Sequence, residues 1–323
     1  MDYKSSILEY CNKFGLDTVG FSECRVFDEL RQYFESRKNK GLENEFEEKC
    51  IEKRINPFLY MKDGKTIISI AFPYLFNLNC KSTTGFSSYT HGRDYHVVVA
   101  HYLKSICDYI ERLGGKAIYF VDSNSLPERY IALQSGIGFI GKNNTLITER
   151  YGSYVFLGEI ITNLPIEKDK PLGDKCGNCN ICQNACPTGA IKNENNPNIC
   201  LSYITQKKEI DDEWFGKLNG RIFGCDTCQK VCPYNKGAEI SKIEEFRPYD
   251  FMEMTNLDEL ISLDKATFKE KYSQTSCGWR GKNVLQRNAL INVMCLGKSR
   301  KPVKFSSPYV QNYYNRLLKY LKL

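Results

Sequence analysis

The sequence predicts a mixed α+β or α/β chain in three parts: a layered N-terminal region, a cysteine-rich module and a helical C-terminal part. Three observations support this division. Before residue 163, apolar stretches at helical spacing alternate with short apolar runs typical of strands. Between Lys175 and Asn235 lie eight of the fifteen cysteines. After Gly237 apolar residues recur at helical intervals, which predicts helices at 257–263, 266–271, 283–295 and 308–323. The predicted regions are therefore 1–170, 171–238 and 239–323.

The N-terminal region is predicted to form a three-layer α/β fold. Amphipathic helices are expected at 5–14 and 26–38, a buried strand at 66–72, a helix at 95–113 and a strand at 117–121. Asp122 directly follows that last strand. In open α/β sheets, ligand crevices form at the carboxyl ends of strands, so Asp122 is a candidate site residue. The alternative is that its carboxylate caps the turn that follows.

A glycine-rich stretch, Gly136-Ile-Gly138-Phe-Ile-Gly141-Lys142, precedes two apolar runs at 145–148 and 154–162. We expect these runs to pair as strands around Tyr151-Gly152-Ser153, and the glycines to form a loop that a ligand approaches. A dinucleotide fingerprint should follow a strand and open a helix, and here the order is reversed. A phosphate-binding Walker loop is excluded because its G-x4-G-K-[ST] pattern is not met. Residues 163–175 form a linker.

The cysteine-rich module contains two runs, Cys176-x2-Cys179-x2-Cys182-x3-Cys186-Pro187 and Cys225-x2-Cys228-x3-Cys232-Pro233, with Cys200 between them. This is the bacterial ferredoxin spacing, in which the cysteine before proline ligates the other cluster. One 4Fe-4S cluster is thus assigned to Cys176, Cys179, Cys182 and Cys232. The second takes Cys186, Cys225, Cys228 and, as the remaining cysteine of the segment, Cys200. Structural zinc is the alternative, but zinc sites usually use pairs of C-x2-C with a longer spacer. The spacing predicts a two-cluster, ferredoxin-like module.

Composition predicts a soluble cytoplasmic protein that does not associate with membranes. No stretch approaches the ~20 apolar residues of a membrane span, and the N-terminus lacks the apolar core of a signal peptide. The seven other cysteines are scattered singly, which suits a reducing compartment and disfavours disulfides. We expect a monomer.

The charge is unevenly distributed. The net charge is +7 over 323 residues, but from Trp279 to Leu323 there are ten basic residues and no Asp or Glu. Phosphate neutralisation by Lys and Arg dominates non-specific nucleic-acid affinity, so a polyanion is the expected partner. A solvated basic tail is the alternative.

Several strings between about residues 54 and 237 resemble epoxyqueuosine reductases. They are Gly92-Arg-Asp-Tyr-His96, Asp122-Ser with Glu128-Arg129, Ser135-Gly-Ile-Gly-Phe-Ile-Gly-Lys142-Asn, Gly152-Ser153, Leu157-Gly-Glu159, the first cysteine run through Ile191, Cys200-Leu-Ser-Tyr203 and Gly224-Cys225-Asp-Thr-Cys-Gln229 to Pro233. The resemblance implies an oxidoreductase that reduces epoxyqueuosine to queuosine at the wobble position of tRNA anticodons, the last step of queuosine biosynthesis.

The resemblance also implies cofactors and partners. It implies an N-terminal cobalamin-binding domain related to reductive dehalogenases, with base-off cobalamin used as cob(I)alamin and reduced through the two 4Fe-4S clusters. An external low-potential electron donor would feed the clusters. A helical, HEAT-like C-terminal part would help to hold tRNA, although it is shorter here than in members with a full helical-repeat domain. Asp94-Tyr-His96-Val-Val-Val99 imitates the cobalamin signature D-x-H-x-x-G but lacks its glycine, so His96 is not assigned as a cobalt ligand.

Individual site residues follow from the same resemblance. Asp122 is the implied general acid, and to donate a proton at neutral pH its pKa should be raised above the usual ~3.9. The implied cobalamin contacts are Arg54, Asp122, Leu146, Thr148, Leu157, Ser202, Asp226 and Thr227. The implied tRNA contacts are Lys207, Arg280, Lys282 and Arg287. As alternatives, Leu146 and Leu157 are core residues, and Arg287 packs within a helix layer.

Two other functions are compatible with these motifs. One is a cobalamin- and iron-sulfur-dependent reductase of a small substrate, similar to reductive dehalogenases; the basic C-terminus argues against it. The other is a ferredoxin-type electron carrier with additional domains. A carrier would leave roughly 170 residues before the clusters without a role and would not bind a corrinoid.

Overall fold

The computed structural model describes residues 2–77, 85–122, 124–192, 194–297 and 305–323. Its strands are β1 (Val19–Glu23), β2 (Thr66–Pro73), β3 (Ala117–Phe120), β4 (Phe139–Ile140), β5 (Leu146–Ile147) and β6 (Val155–Thr162). The helices are α1 (Tyr3–Asn12), α2 (Arg31–Asn39), α3 (Ile51–Ile55), α4 (Tyr95–Arg112), α5 (Glu128–Gln134), α6 (Ile181–Ala185), α7 (Leu201–Ile204), α8 (Phe215–Leu218), α9 (Thr227–Lys230), α10 (Asp250–Glu253), α11 (Leu257–Ile261), α12 (Lys265–Thr267), α13 (Lys282–Cys295) and α14 (Pro308–Tyr320).

The main sheet has four strands in the order β1-β2-β6-β3, and every neighbouring pair is antiparallel. Strands β2 and β6 form its centre, and β2 is buried along its whole length. The expectation that Asp122 marks a ligand crevice rested on a rule for open, mainly parallel sheets. That argument does not apply here, and the position of Asp122 must be explained by its contacts.

Helices cover both faces of this sheet, so the three predicted layers are present. Successive residues of a strand point to opposite faces. On one face Ile68 packs with α1 and α4, and on the other Ile67 packs with Phe34 of α2 and Ile131 of α5. The predicted helices at 5–14 and 95–113 agree with α1 and α4 to within two residues at each end.

The prediction that residues 145–148 and 154–162 pair with each other is wrong. Strand β5 pairs with β4, whereas β6 pairs with β2 and β3. The glycines also have a packing role instead of the expected ligand-approach role. A Cβ at Gly138 would lie 2.7 Å from the Ile147 carbonyl oxygen, and one at Gly136 would lie 2.6 Å from the Lys170 oxygen. These contacts explain why the backbone needs glycine there.

The segment from Leu201 to Phe223 and the C-terminal helices share one hydrophobic core. This core also includes Phe86, and it contains buried residues of α7, α8, α10, α11, α13 and α14 together with residues of the loops between them. The predicted helices at 257–263, 283–295 and 308–323 correspond to α11, α13 and α14, while 266–271 divides into α12 and a short π-helical turn. A HEAT-like repeat stays a prediction.

Helix α13 is buried on all sides and carries polar side chains into the core. Arg287 is 0% exposed, and its Nη1 donates to the Lys207 and Lys208 carbonyl oxygens, both at 2.7 Å. Asn288 Nδ2 donates to the Thr205 oxygen at 2.7 Å. Buried donors that satisfy loop carbonyls fix the loop, since leaving either partner unpaired costs about 1–3 kcal/mol.

The Arg287 guanidinium is therefore an internal hydrogen-bond donor with no exposed surface, which supports the helix-packing alternative over a direct tRNA contact. Of the other basic residues in the C-terminal stretch, Lys298, Arg300, Lys301 and Lys304 lie outside the described residues. Within the described ranges, no helix is both long enough and apolar enough to cross a membrane.

Strand β6 buries a carboxyl group in the middle of the sheet. Glu159 is 0% exposed, and its Oε1 accepts a 3.4 Å hydrogen bond from Ser69, while its Oε2 has no hydrogen-bond partner among the described residues. Burial, followed by the charge of Glu128, raises the pKa of Glu159 well above its usual value. The environment of Glu159 thus favours the neutral carboxylic acid over the carboxylate.

We predict that Glu159→Gln makes the stability less dependent on pH. Because the folded pKa is raised, the contribution of Glu159 is fully present below its unfolded pKa of about 4.3 and is lost as pH rises toward the folded value. The glutamine variant should therefore gain apparent melting temperature over the wild type between pH 5 and pH 9, by roughly a few degrees. Thermal denaturation at both pH values measures this. The control Glu167→Gln alters an exposed carboxylate and should leave the melting temperature unchanged at both pH values. If the melting temperatures of Glu159→Gln and wild type differ by the same amount at pH 5 and pH 9, the raised pKa of Glu159 is refuted.

Candidate active site

A cavity of about 720 Å³ lies between the start of α4, the loop before α5 and the C-terminal region. Its lining includes Tyr95, His96, Asp122, Gln206 and Trp279. A second cavity of about 380 Å³ adjoins it, and Glu47 lines both. Such volumes are in the range of ligand sites.

Asp122 is brought into this cavity by a sharp turn after β3. It adopts φ of 42°, a left-handed conformation that Asp tolerates better than most residues. Its Oδ2 accepts hydrogen bonds from the Tyr95 hydroxyl and, at 3.1 Å, from His96 Nε2. Its side chain is 54% exposed to the cavity. The carboxylate is therefore held from one side and open on the other.

His96 joins two carboxylates. Asp94 is the N-cap of α4, and its Oδ1 lies 2.8 Å from His96 Nδ1 while also accepting from the His96 backbone N–H. A short Asp94-His96-Asp122 chain results. Carboxylates on both ring nitrogens favour the doubly protonated imidazolium, since each nitrogen then donates.

The proton in this chain is on His96 at neutral pH. Burial alone lowers the pKa of His96, but the hydrogen bonds and charges of Asp122 and Asp94 raise it to about 9. Burial raises the pKa of Asp122, yet the hydrogen bonds from His96 and Tyr95 outweigh burial and lower it overall. The prediction of a raised pKa for Asp122 is thus corrected for this structure, because it considered burial and not the neighbouring donors.

Glu128 adds a second protonated carboxyl near Asp122. Its Oε1 accepts a 2.7 Å hydrogen bond from Asn124 Nδ2. Burial, and then the charge of Asp122, raises the pKa of Glu128. At neutral pH Glu128, whose pKa is raised to about 8, holds a proton while Asp122 is ionised.

The neighbours of Cys182 and Cys228 overlap with the two predicted ligand groups, and the assignment of eight cysteines to two clusters stays a prediction. Burial raises the pKa of Cys182, as do, in smaller measure, the neighbouring Cys176, Cys232 and Cys179. Burial, and then Cys200, Cys225, Cys182 and Cys186, raises the pKa of Cys228 to about 12. The cysteines of the described residues are all free of disulfides.

The interleaving arises because α6 and α9 pack against each other. Each short helix lies within its cysteine run, so Cys232 comes near Cys176 and Cys179, and Cys186 comes near Cys200. Backbone amides surround the sulfurs: the N–H groups of Thr188 and Ala190, with the Thr188 hydroxyl, offset burial and lower the pKa of Cys186. Thiolates are the form that ligates iron. Among the described residues, no group of three or more His, Cys, Asp or Glu side chains has a geometry that could hold a single metal ion.

A short segment connects the second cysteine group to the cavity. Asp226, next to Cys225, accepts hydrogen bonds from the Ser87 hydroxyl and, at 2.8 Å, from the Ser88 N–H. Tyr89, the next residue, lines the cavity, and its hydroxyl accepts a 3.4 Å hydrogen bond from Gln206. The cavity and the thiols therefore belong to one connected site.

The implied cobalamin contacts do not all line the two cavities. Arg54 lines the smaller one, with its guanidinium 3.8 Å from the centroid of the Phe34 ring. Asp226 and Thr227 line a separate cavity of about 240 Å³, and Ser202 lies two residues after Cys200. Leu146 is buried and Leu157 is half-buried, and both pack with Ala71 and Ala132. Thr148 is buried, and its hydroxyl donates to the Gly152 carbonyl oxygen. In this structure these last three residues have packing roles.

The implied tRNA contacts also separate. Lys207 lies near the larger cavity, its Nζ 5.7 Å from the centroid of the Tyr203 ring. Arg280 is only 9% exposed, and its Nε donates to the Gln206 carbonyl oxygen. Lys282 lines a different cavity and donates to Gln286 Oε1 at 2.7 Å. The structure does not bring Lys282 together with the Asp122 cavity.

Sequence reasoning missed Tyr95 and His96 as partners of Asp122, and it missed Glu128. The first two lie in a string that carried the family resemblance, and Asp94 before an amphipathic helix is a recognisable N-cap. Their convergence with a residue 26 positions away left no local signal. The exposed aromatics Phe46 and Trp279 were missed as well.

The chain matches known proteins along most of its length. Residues 54–123 match the family model described as epoxyqueuosine reductase QueG, DUF1730, and residues 175–235 match that of a 4Fe-4S double cluster binding domain. A Bacillus cereus epoxyqueuosine reductase is 38% identical over 300 residues, covering 89% of this chain and 79% of the relative.

Two solved structures show the same likeness in three dimensions. One is epoxyqueuosine reductase with a tRNA-Tyr epoxyqueuosine-modified stem loop, with a TM-score of 0.89, 34% identity and coverage of 98% of this chain and 90% of that chain. The other, from Bacillus subtilis, has its catalytic aspartate loop swung out of the active site; it has a TM-score of 0.88, 33% identity and the same coverage. With this identity over nearly nine-tenths of its length, the chain belongs to the epoxyqueuosine reductase family.

Proposed function

We propose that this protein reduces epoxyqueuosine in the anticodon of tRNA to queuosine. The observation that carries the proposal is the Asp94-His96-Asp122 chain, which presents a proton-linked carboxylate to a cavity connected with two groups of four thiols. Converting an epoxide to an alkene breaks both carbon–oxygen bonds, forms the double bond and releases the oxygen as water. It consumes two electrons and two protons, so an external low-potential donor is needed.

The thiol groups are proposed to hold two 4Fe-4S clusters. The first takes Cys176, Cys179, Cys182 and Cys232, and the second Cys186, Cys200, Cys225 and Cys228. Support comes from the mutual proximity within each group and from the match of the segment to a double-cluster domain. The assignment of Cys225 as a ligand is further supported by Arg221, whose Nε donates a 3.2 Å hydrogen bond to Cys225 Sγ and so favours the thiolate.

The two adjoining cavities are proposed to receive base-off cobalamin beside the substrate. A corrinoid exceeds drug-sized ligands, and neighbouring volumes of about 720 and 380 Å³ with mixed polar and apolar lining fit a large group with many amides. Arg54 and Asn144 would contact it in the smaller cavity, and Asp122 would face it in the larger. When bound, cobalamin supplies the two-electron reduction that side chains cannot perform.

The protein's own contribution is to hold and deliver protons. Asp122 Oδ2 is one hydrogen bond from the protonated His96 and is open to the cavity, so a proton can pass from Nε2 to the carboxylate and on to the departing oxygen. Tyr95 fixes the carboxylate, and Asp94 fixes the ring. A catalytic aspartate loop in a related structure supports this role for Asp122.

The substrate is proposed to be tRNA because a related enzyme was solved with a modified tRNA stem loop. Lys207, close to the cavity, is proposed as a backbone phosphate contact. The small-substrate reductase and the electron carrier remain as competing functions. An electron carrier has no use for the Asp122 cavity, and the small-substrate reductase differs in its response to tRNA.

We predict that the anaerobic, reconstituted protein removes one oxygen from epoxyqueuosine in tRNA only when cobalamin and a low-potential reductant are both present. Mass analysis of the digested nucleosides measures the loss. Omission of cobalamin is the matched control. A protein that binds cobalamin and retains its clusters but leaves the nucleoside unchanged would direct the proposal to a small substrate, and absence of corrinoid binding would favour the electron carrier.

We predict that Asp122→Asn lowers turnover about 10²–10⁴-fold, the usual contribution of a positioned acid–base group. The amide keeps the shape of the side chain but cannot accept and release the proton. Single-turnover rates measure the change, and cluster and corrinoid absorption should stay at wild-type values. Asp108→Asn on the outer face of α4, where Asp108 pairs with Lys104, is the control and should retain activity. An active Asp122→Asn variant would remove Asp122 from the mechanism.

We predict that turnover falls as pH rises through about 9, where His96 loses its proton. The group has a raised pKa, so the protonated, active form predominates at all lower pH values in this range. His96→Gln keeps a donor to Asp122 but cannot titrate, so its reduced activity should show no such limb. Profiles of the single-turnover rate from pH 7 to 10 provide the test. A wild-type profile flat across pH 9, or the same limb in both proteins, would contradict this role.

A further inference from the structure

Two large aromatic side chains stand exposed at the edge of the Asp122 cavity. Trp279 is 54% exposed and Phe46 is 42% exposed, and both line the cavity. Their ring centroids are 5.3 Å apart in an edge-to-face arrangement. Scattered exposed aromatics need no explanation, but a contacting pair at the mouth of an active site marks a surface for recognition.

The pair is held in place by groups that do not themselves face solvent. The Arg280 guanidinium lies 4.5 Å from the Trp279 ring centroid and 5.2 Å from that of Phe46. It is anchored by its hydrogen bond to the Gln206 oxygen and lies 3.8 Å from Glu45. Tyr203 packs edge-to-face on Phe46 at 5.1 Å. Surfaces preorganised in this way lose little side-chain freedom on binding.

The charges around the rings favour stacking over phosphate binding. Glu47, Glu48 and Lys49 line the same cavity wall, and Glu45 faces Arg280. The carboxylates oppose a phosphate at this edge, and Arg280 has little exposed surface for one. Aromatic faces, in contrast, bind any nucleobase, because every base has a π-face.

We propose that Trp279 and Phe46 form a stacking platform for an unpaired base of the substrate RNA that neighbours the nucleotide in the cavity, and that Arg280 is a positioning residue for this platform. The inference rests on the proposed function. A nucleotide that enters a cavity must leave the stack of its loop, so its neighbours lose a stacking partner. The platform replaces that partner at the cavity edge.

The experiment measures binding of an anticodon stem-loop RNA to the full, cluster-loaded protein by fluorescence anisotropy, and in parallel its turnover. Trp279→Ala and Phe46→Ala should each weaken binding on the order of tenfold, in line with base–aromatic stacking. Trp279→Phe should stay within about threefold of wild type because it keeps an aromatic face. The control Tyr320→Ala removes a comparably exposed aromatic, 44% exposed, from α14, outside the cavity, and should bind normally.

Salt dependence separates the platform from a phosphate contact. Loss of stacking should leave the slope of log affinity against log salt unchanged, whereas loss of a phosphate contact lowers it by about one. Arg280→Lys keeps the charge but not the planar stack, so it should behave like Trp279→Ala. If Arg280→Lys binds as wild type and Arg280→Ala lowers the salt slope, Arg280 is a phosphate contact and its positioning role is wrong.

A second probe keeps the proposal testable where a variant fails to fold. A stem loop with an abasic site at each position beside the modified nucleotide, in turn, should lose about tenfold in wild-type binding at one position, and that loss should vanish in Trp279→Ala or Phe46→Ala. Equal binding of every abasic RNA overturns the platform while leaving wild-type turnover, and so the proposed function, intact. A wild type that neither binds nor converts the RNA overturns both.

Discussion

The interleaving of the two cysteine runs is the constraint on which the arrangement of this molecule depends. Because Cys232 lies near Cys176, and Cys200 lies near both Cys186 and Cys225, residues 176–186 and 225–232 must lie against each other, although some 40 residues separate them. The intervening chain has to leave and return. It does so as the segment of α7 and α8, whose apolar residues find their core in the C-terminal helices. The cysteine-rich module is therefore packed into the rest of the protein, because the segment that connects its two cysteine runs forms one hydrophobic core with the C-terminal helices.

Helix α13 converts that packing into a fixed geometry. Asn292 Nδ2 donates to the Arg221 oxygen at 2.7 Å, and Asn288 reaches the Ile222 oxygen at the same distance, so the backbone just before Cys225 is tied to the helix. The Thr205 carbonyl oxygen, directly before Gln206, accepts hydrogen bonds from Arg287 and Asn288. The basic residues of the C-terminal stretch thus have different roles, and their burial in the structure distinguishes these roles. The charge count alone indicated a partner, whereas the structure shows that one of the ten, Arg287, stabilises the fold.

How much was predictable follows from the range of the interactions. Cysteine spacing is local, and its chemical meaning follows from ligand rules, so the sequence alone indicated the double-cluster segment that the family model matches at residues 175–235. Helices α1, α4 and α13 have apolar residues at helical spacing, so the sequence predicted them. Strand pairing is non-local: nothing in residues 145–162 indicates that β5 pairs backward with β4 while β6 joins β2. The same limit hid the contact of Asp122 with Tyr95 and His96, and therefore the direction of its pKa shift.

Because the Asp122 carboxylate is exposed to the cavity, its lowered pKa depends on whether a ligand fills the site. In the open site, water solvates the carboxylate, and donation by Tyr95 and His96 keeps it ionised while the imidazolium holds the proton. A ligand that covers the exposed side removes the water but leaves both donors, so burial gains weight and the pKa of Asp122 rises toward that of His96. Transfer of the proton across the 3.1 Å hydrogen bond is then less unfavourable in the filled site than in the open one. Had Asp122 been protonated at rest, as burial alone would require, no such coupling between occupancy and proton delivery would exist.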